Sequence, residues 1–147
     1  MEALSRRIEA SFPPSDSPPR LSLRAGNALD DYATPPPFDP ALDRPTGEYI
    51  EAFHFGIHHL DPESWRYYLP ILLNYAISEM TSEVSQALDT FFFSLRSPDR
   101  DPPRFASLSP EQSATVEAVL EAVGFTEGSR YQEEALEALQ EYWGVRE

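Results

Sequence analysis

Cysteine and lysine are both missing from this chain of 147 residues. Without cysteine there is no disulfide framework, no thiolate metal site and no cysteine nucleophile. All 11 basic residues are arginine, set against 25 Asp and Glu, and the formal net charge is -14. Such a surface repels nucleic-acid phosphates and anionic lipid headgroups, because binding either needs a basic patch. Long apolar runs are also missing, and no segment approaches the length of a membrane span. The first residues lack the charged-then-apolar layout of a signal peptide. No Asn-Gly or Asp-Gly turn separates alternating runs, so strand signals are sparse. No Gly-rich phosphate loop, Gly-x-Ser-x-Gly elbow or dinucleotide fingerprint is present. The expectation is a cytoplasmic protein without nucleic-acid partner, membrane association or cofactor.

What is present is a core. Apolar residues make up 41% and aromatic residues 12%, ample for one domain spanning residues 1–147. The densest stretch is His58 to Ile77. Asp61 can cap free backbone N–H groups, Pro62 suits the first helical position, and Glu63 meets the positive end of the helix dipole. The residues that follow are apolar or aromatic on nearly every side, predicting a central helix from Pro62 to about Met80, kinked at Pro70.

Before it, Pro13 to Pro45 holds nine of the 15 prolines and cannot sustain a long helix or a central strand. Leu21, Leu23, Leu29, Tyr32, Phe38 and Leu42 punctuate it, so the segment reads as an extended wrap over the core, with one helical turn near Asn27 to Tyr32. Leu4, Ile8 and Phe12 predict a short helix from Ala3, and a further helix is expected from Gly47 to Ile57. Thr81 or Ser82 restarts the chain, with Val84, Leu88, Phe91 and Leu95 on the buried side. Ser109-Pro110-Glu111-Gln112 is a capping box; Val116, Val119, Leu120 and Val123 follow as a stripe, closed by Gly124. Ser129 opens a last helix that buries Ala135, Leu136, Leu139, Tyr142 and Trp143. The fold class is therefore all-α: a compact bundle of about five to six helices, its helical core at residues 47–147, with the irregular proline-rich residues 13–45 wrapped over the core.

Three elements in order, Asp30-Asp31-Tyr32, Asp61-Pro62-Glu63-Ser64-Trp65-Arg66-Tyr67-Tyr68-Leu69-Pro70 and Arg104-Phe105…Leu108-Ser109-Pro110-Glu111-Gln112, resemble the pattern of a bacterial family of small proteins grouped as a domain of unknown function. The resemblance runs from about Ile8 to Ala122. It departs from the pattern at Asp61, where Thr is common, and in carrying His58-His59 just before. It implies a fold and no established activity.

The three histidines fall within six residues. On a helix, His54 and His58 would share a face as a metal pair, with Asp61 adding a carboxylate and a bound Zn2+ activating water. That would make a small metal-dependent hydrolase. The internal Glu of the His-Glu-x-x-His arrangement is missing, and Asp61 also reads as a cap. Surface or hinge histidines are the plainer reading. Asp30 and Asp31 cap a helical turn while Tyr32 packs, or bind a ligand. Arg66 lies in an apolar helix three residues from Glu63, so it is either bonded to Glu63 or a clamp for an anionic ligand. Trp65, Tyr67, Tyr68 and Tyr75 read as core.

Residues 109–147 hold nine Glu and two Arg. Glu117, Glu121, Glu133 and Glu137 on these helices would dock a basic protein partner, or would simply form the solvated outside of a bundle. The resulting expectation is a non-enzymatic interaction protein of immunity, antitoxin or adaptor type. The metal hydrolase is the alternative. A small-molecule sensor stands third, conditional on a pocket beneath the proline-rich wrap.

Overall fold

The computed structural model describes residues 1–145. Among these residues every regular element is helical. Seven α-helices follow one another: α1 (Glu2–Ser11), α2 (Leu23–Asp30), α3 (Gly47–Ala52), α4 (Pro62–Glu79), α5 (Gln86–Ser94), α6 (Pro110–Phe125) and α7 (Gln132–Ala138). Two 3-10 segments, His54–His59 and Phe105–Ser107, and a π-helical turn, Leu139–Trp143, complete the set.

Starts are written in side chains. Ser22, Thr46, Asp61, Ser85 and Ser109 each accept a hydrogen bond from a backbone N–H in the first turn they precede. At Ser109 the capping box is complete, with the Gln112 side chain returning to the Ser109 N–H. The end of α2 is closed by the chain reversal itself. Tyr32 takes a left-handed conformation (φ 58°), and the N–H groups of Tyr32 and Ala33 bond the carbonyls of Leu29 and Ala28. The Tyr32 ring then points fully into solvent, 100% exposed, where packing was expected.

α4 is the axis of the core. Trp65, Tyr68, Leu69, Leu72, Leu73 and Ala76 are completely buried, and α1 and α6 pack against the helix. It runs unbroken through Pro70, which has no N–H to offer the Arg66 carbonyl. The amide of Asn74 donates to the Pro70 carbonyl at 3.2 Å and accepts from Ser5 at 2.7 Å, tying α1 to this turn. α7 lies on α6 and α5, and Trp143 is buried with its ring N–H bonded to the Leu95 carbonyl at 2.9 Å.

Several boundaries differ from the sequence expectation. The helix from Gly47 stops at Ala52 and continues as 3-10 to His59. The single turn expected near Asn27 to Tyr32 is a full helix beginning at Leu23. Gly124 does not end α6, which carries on to Phe125; Leu136 packs against the bare α-carbon of Gly124. Val84 is 68% exposed, since α5 starts only at Gln86 and Val84 precedes its cap.

The proline-rich stretch is pinned by one buried acid. The Asp43 carboxylate takes a bidentate bond from Arg24 (3.1 and 3.0 Å), the hydroxyl of Tyr49 at 2.7 Å and the N–H of Asp39 at 2.8 Å. It thus joins α2, α3 and the chain between them.

α2 and the 3-10 segment His54–His59 cross at two glycines. A β-carbon on Gly56 would meet the Leu23 carbonyl oxygen at 2.1 Å, and one on Gly26 would meet the Gly56 oxygen at 2.5 Å. Backbone lies on backbone here, and no side chain can move aside. Gly56→Ala is expected to destabilise the protein by about 3 kcal/mol or more. At Gly124 only the tip of Leu136 would have to yield, and a helical alanine gains up to about 1 kcal/mol over glycine, so Gly124→Ala should be close to neutral. Urea unfolding midpoints of the two variants check the contrast.

Candidate functional site

The histidines sit on the 3-10 segment, and its geometry separates them. With three residues per turn, residues three apart eclipse while residues four apart are splayed by about 120°. His54 turns inward, buried, with Nδ1 2.7 Å from Thr90 Oγ1 of α5. His58 is half-buried, its ring meeting that of Phe93 at 85°, and burial, then Arg100 and Arg104, lower its pKa from the ordinary 6.5. His59 Nε2 lies 3.0 Å from Asp30 Oδ1, so Asp30 serves a cross-link and Asp31 the end of α2. Asp61 accepts from the Ser64 N–H at 3.2 Å as the cap of α4, and Arg20 approaches it at 3.5 Å. His54, His58 and Asp61 are therefore not brought together as the metal-hydrolase alternative required. Among the described residues no group of three or more His, Asp or Glu side chains could hold a metal ion. His54 also departs from the plain surface reading, being buried.

Two arginines from the loop after α5 close the end of this 3-10 segment. Arg104, 2% exposed, donates through Nε to the Leu60 carbonyl at 3.1 Å and through Nη2 to the carbonyls of Ile57 (2.9 Å) and Leu60. Arg100 donates to the His58 carbonyl. Carbonyls at a helix end that lack intrahelical partners carry partial negative charge, so they solvate these guanidinium groups where no carboxylate does. Burial and then Arg100 pull Arg104 down to about 10, which leaves it charged at neutral pH. The loop is organised by Asp99, whose carboxylate accepts four backbone N–H groups, those of Arg100, Arg104, Phe105 and Ala106, at 2.8 to 3.0 Å.

The acidic residues proposed for docking divide. Glu137 is paired with Arg96 at 2.9 Å, and Glu141 shares that arginine at 2.6 Å. Glu117 is half-buried. Glu121 and Glu133 stand exposed. Beside them are apolar side chains that the sequence reading placed in the core or passed over. Phe125, one turn beyond Glu121 on α6, is 73% exposed, and Leu136, three residues after Glu133 on α7, is 38% exposed.

On α4, Trp65 and Tyr68 are core, as expected, while Tyr67 and Tyr75 are only partly buried. Arg66 makes no bond to Glu63. It has no hydrogen bond or ion pair with any described residue, although it is half-buried.

The whole chain, residues 1–147, matches the model of a family described as "Family of unknown function (DUF6714)", and the chain belongs to that family. No curated protein and no solved structure matches it. No helix among the described residues is long and apolar enough to cross a membrane.

The acids that hold the loops set an acid limit. At Asp99 burial acts to raise the pKa, but the four N–H donors outweigh it, and the result lies below the ordinary 3.8. At Asp43 burial is likewise outweighed, by Arg24, the Asp39 N–H and the Tyr49 hydroxyl. A depressed folded pKa contributes stability that is fully present above the unfolded value and lost as pH falls through the folded one. Urea midpoints should therefore hold steady from pH 7 to 5 and fall below about 3.8. Asp99→Ala should cost about 2 kcal/mol at pH 7, and the gap to the parent protein should close as pH falls below about 3.8.

Proposed function

We propose that this protein is a bacterial, cytoplasmic interaction module that engages a basic protein partner through the α6–α7 face. The observation that carries the reading is the pairing of exposed acids with exposed apolar side chains on that face, Glu121 with Phe125 on α6 and Glu133 with Leu136 on α7. Apolar residues standing singly in water are ordinary on a bundle surface. A large aromatic left 73% in water beside carboxylates, with Leu136 on the adjoining helix, has instead the composition of a binding patch, an apolar centre with a charged rim. The net charge of -14 steers a basic partner toward the protein and suppresses acidic ones. Glu137 and Glu117 take a lesser part, the first because Arg96 already holds it and the second because it is half-buried.

The test is capture from a lysate of the source organism on immobilised protein, compared with a Glu121→Arg, Glu133→Arg variant and with Phe125→Ser. A basic protein retained at low salt, released as salt rises and lost from both variants supports the reading. Retention of the same protein on the charge-reversed surface, or retention that ignores salt, removes it. Glu48→Arg, an exposed acid on α3, serves as the control and should leave capture unchanged.

A further inference from the structure

One wall of α4 is only partly covered, by α1 at Asn74. Glu63, Arg66, Tyr67, Pro70, Ile71 and Asn74 recur at three- and four-residue steps along it and face a cavity of about 580 Å³. Across the cavity lie Ile8 and Phe12 of the first helix and its end, followed by the proline pairs Pro13-Pro14 and Pro18-Pro19. The prolines explain why the space stays open. Their rings hold the chain extended, and such a strand cannot drop into the gap to bond with α4 as a helix would pack. Gln112 closes one side, its amide donating to the Ser11 carbonyl at 3.1 Å.

The lining joins an apolar body to polar side chains, Arg66, Asn74, Gln112 and the rim acids Glu9 and Glu63 among them, a mixture that a ligand with one charged end and an apolar body fits. The cavity volume also falls within the range of about 300–1,000 Å³ usual for small-molecule pockets. Ile8, Phe12, Pro18, Tyr67, Pro70 and Ile71 supply flat apolar surface. Arg66 supplies charge. Arg7 and Arg44 also lack partners but are exposed, so Arg66 is the one half-buried arginine without a partner among the described residues. A guanidinium half removed from water is stabilised by a bidentate carboxylate, and no acid among the described residues supplies one. Glu9 and Glu63 also line the cavity, but both are exposed, at its watery rim. Their charges disfavour a dianion such as a phosphate monoester more than a monoanion.

We infer that this cavity binds a monoanionic apolar carboxylic acid, its carboxylate on Arg66 and its body between Tyr67, Ile71 and the proline pairs. This site is separate from the α6–α7 face and stands whether or not that face binds a partner.

The probe is naphthalene-2-carboxylate, compared by titration calorimetry with its neutral, shape-matched carboxamide. The acid should bind about ten- to hundredfold more tightly than the amide, the value of one charge-assisted hydrogen-bond pair. Arg66→Gln should erase that difference by weakening the acid alone, with Arg66→Lys between the two. Ile71→Trp, which fills the cavity, should weaken acid and amide together. Glu63→Gln should tighten the acid. Equal affinity for acid and amide, undiminished acid binding by Arg66→Gln, or no heat from either probe at millimolar concentration would overturn the inference.

Discussion

Backbone N–H and carbonyl groups in the irregular segments must find partners, and in this chain side chains provide them. Proline cannot donate, and with 15 prolines a large part of the backbone lies outside helices that would satisfy it internally. Asp99 gathers four N–H groups of one loop, and Arg104 answers the carbonyls of Ile57 and Leu60. Asp43 binds the Asp39 N–H together with Arg24 and Tyr49. Glu51 does the same at the start of α5, taking the hydroxyls of Tyr75 and Ser85 at 2.5 Å each and the Ala87 N–H at 3.2 Å. These charged groups act as connectors between segments too irregular to pair with one another.

This changes the meaning of the net charge. A count of acids treats them as one surface, yet Asp43, Glu51, Asp61 and Asp99 are engaged internally, each held below its ordinary pKa. Glu137 and Glu141 are engaged by Arg96. The field that a partner would meet therefore comes from the remaining acids, Glu121 and Glu133 among them. Charge alone does not distinguish those two from other solvated acids. Phe125 and Leu136 add exposed apolar surface beside them, as Phe93 does one turn beyond the exposed Asp89 on α5.

Local signals were readable from the residues where one side chain answers a nearby backbone group. Asp61-Pro62 and Ser109-Pro110-Glu111-Gln112 announce α4 and α6 because capping is settled within four residues. The apolar content of α4 likewise marked it as core. What periodicity could not supply was which faces meet. Phe93 and Leu136 fit an apolar pattern as well as their buried neighbours do, yet are 68% and 38% exposed. The helix α2 was hidden by Gly26, a poor helix former, whose presence is explained only by Gly56 lying against it some thirty residues later. His54 and His58 lie on a 3-10 segment, where a four-residue step splays them, so the shared face read from an α-helical spacing is not the geometry this stretch adopts. Arg66 is the reverse case. Both of its readings were visible, and only the missing bond to Glu63 separates them.

The two proposed surfaces lie toward opposite ends of α6. Gln112, in its first turn, borders the cavity, whereas Glu121 and Phe125 are near its last, about 13–20 Å away at 1.5 Å per residue. Coupling between them would need an element with two arrangements that ligand and partner bias differently. α6 does not offer one. Its start is fixed by a complete capping box and by Ser11 Oγ 2.5 Å from Thr115 Oγ1, and its middle by Val116, Val119, Leu120 and Val123, all fully buried. A helix clamped at its start and along its length transmits little, so occupancy of the cavity and engagement of the acidic face should behave as independent events.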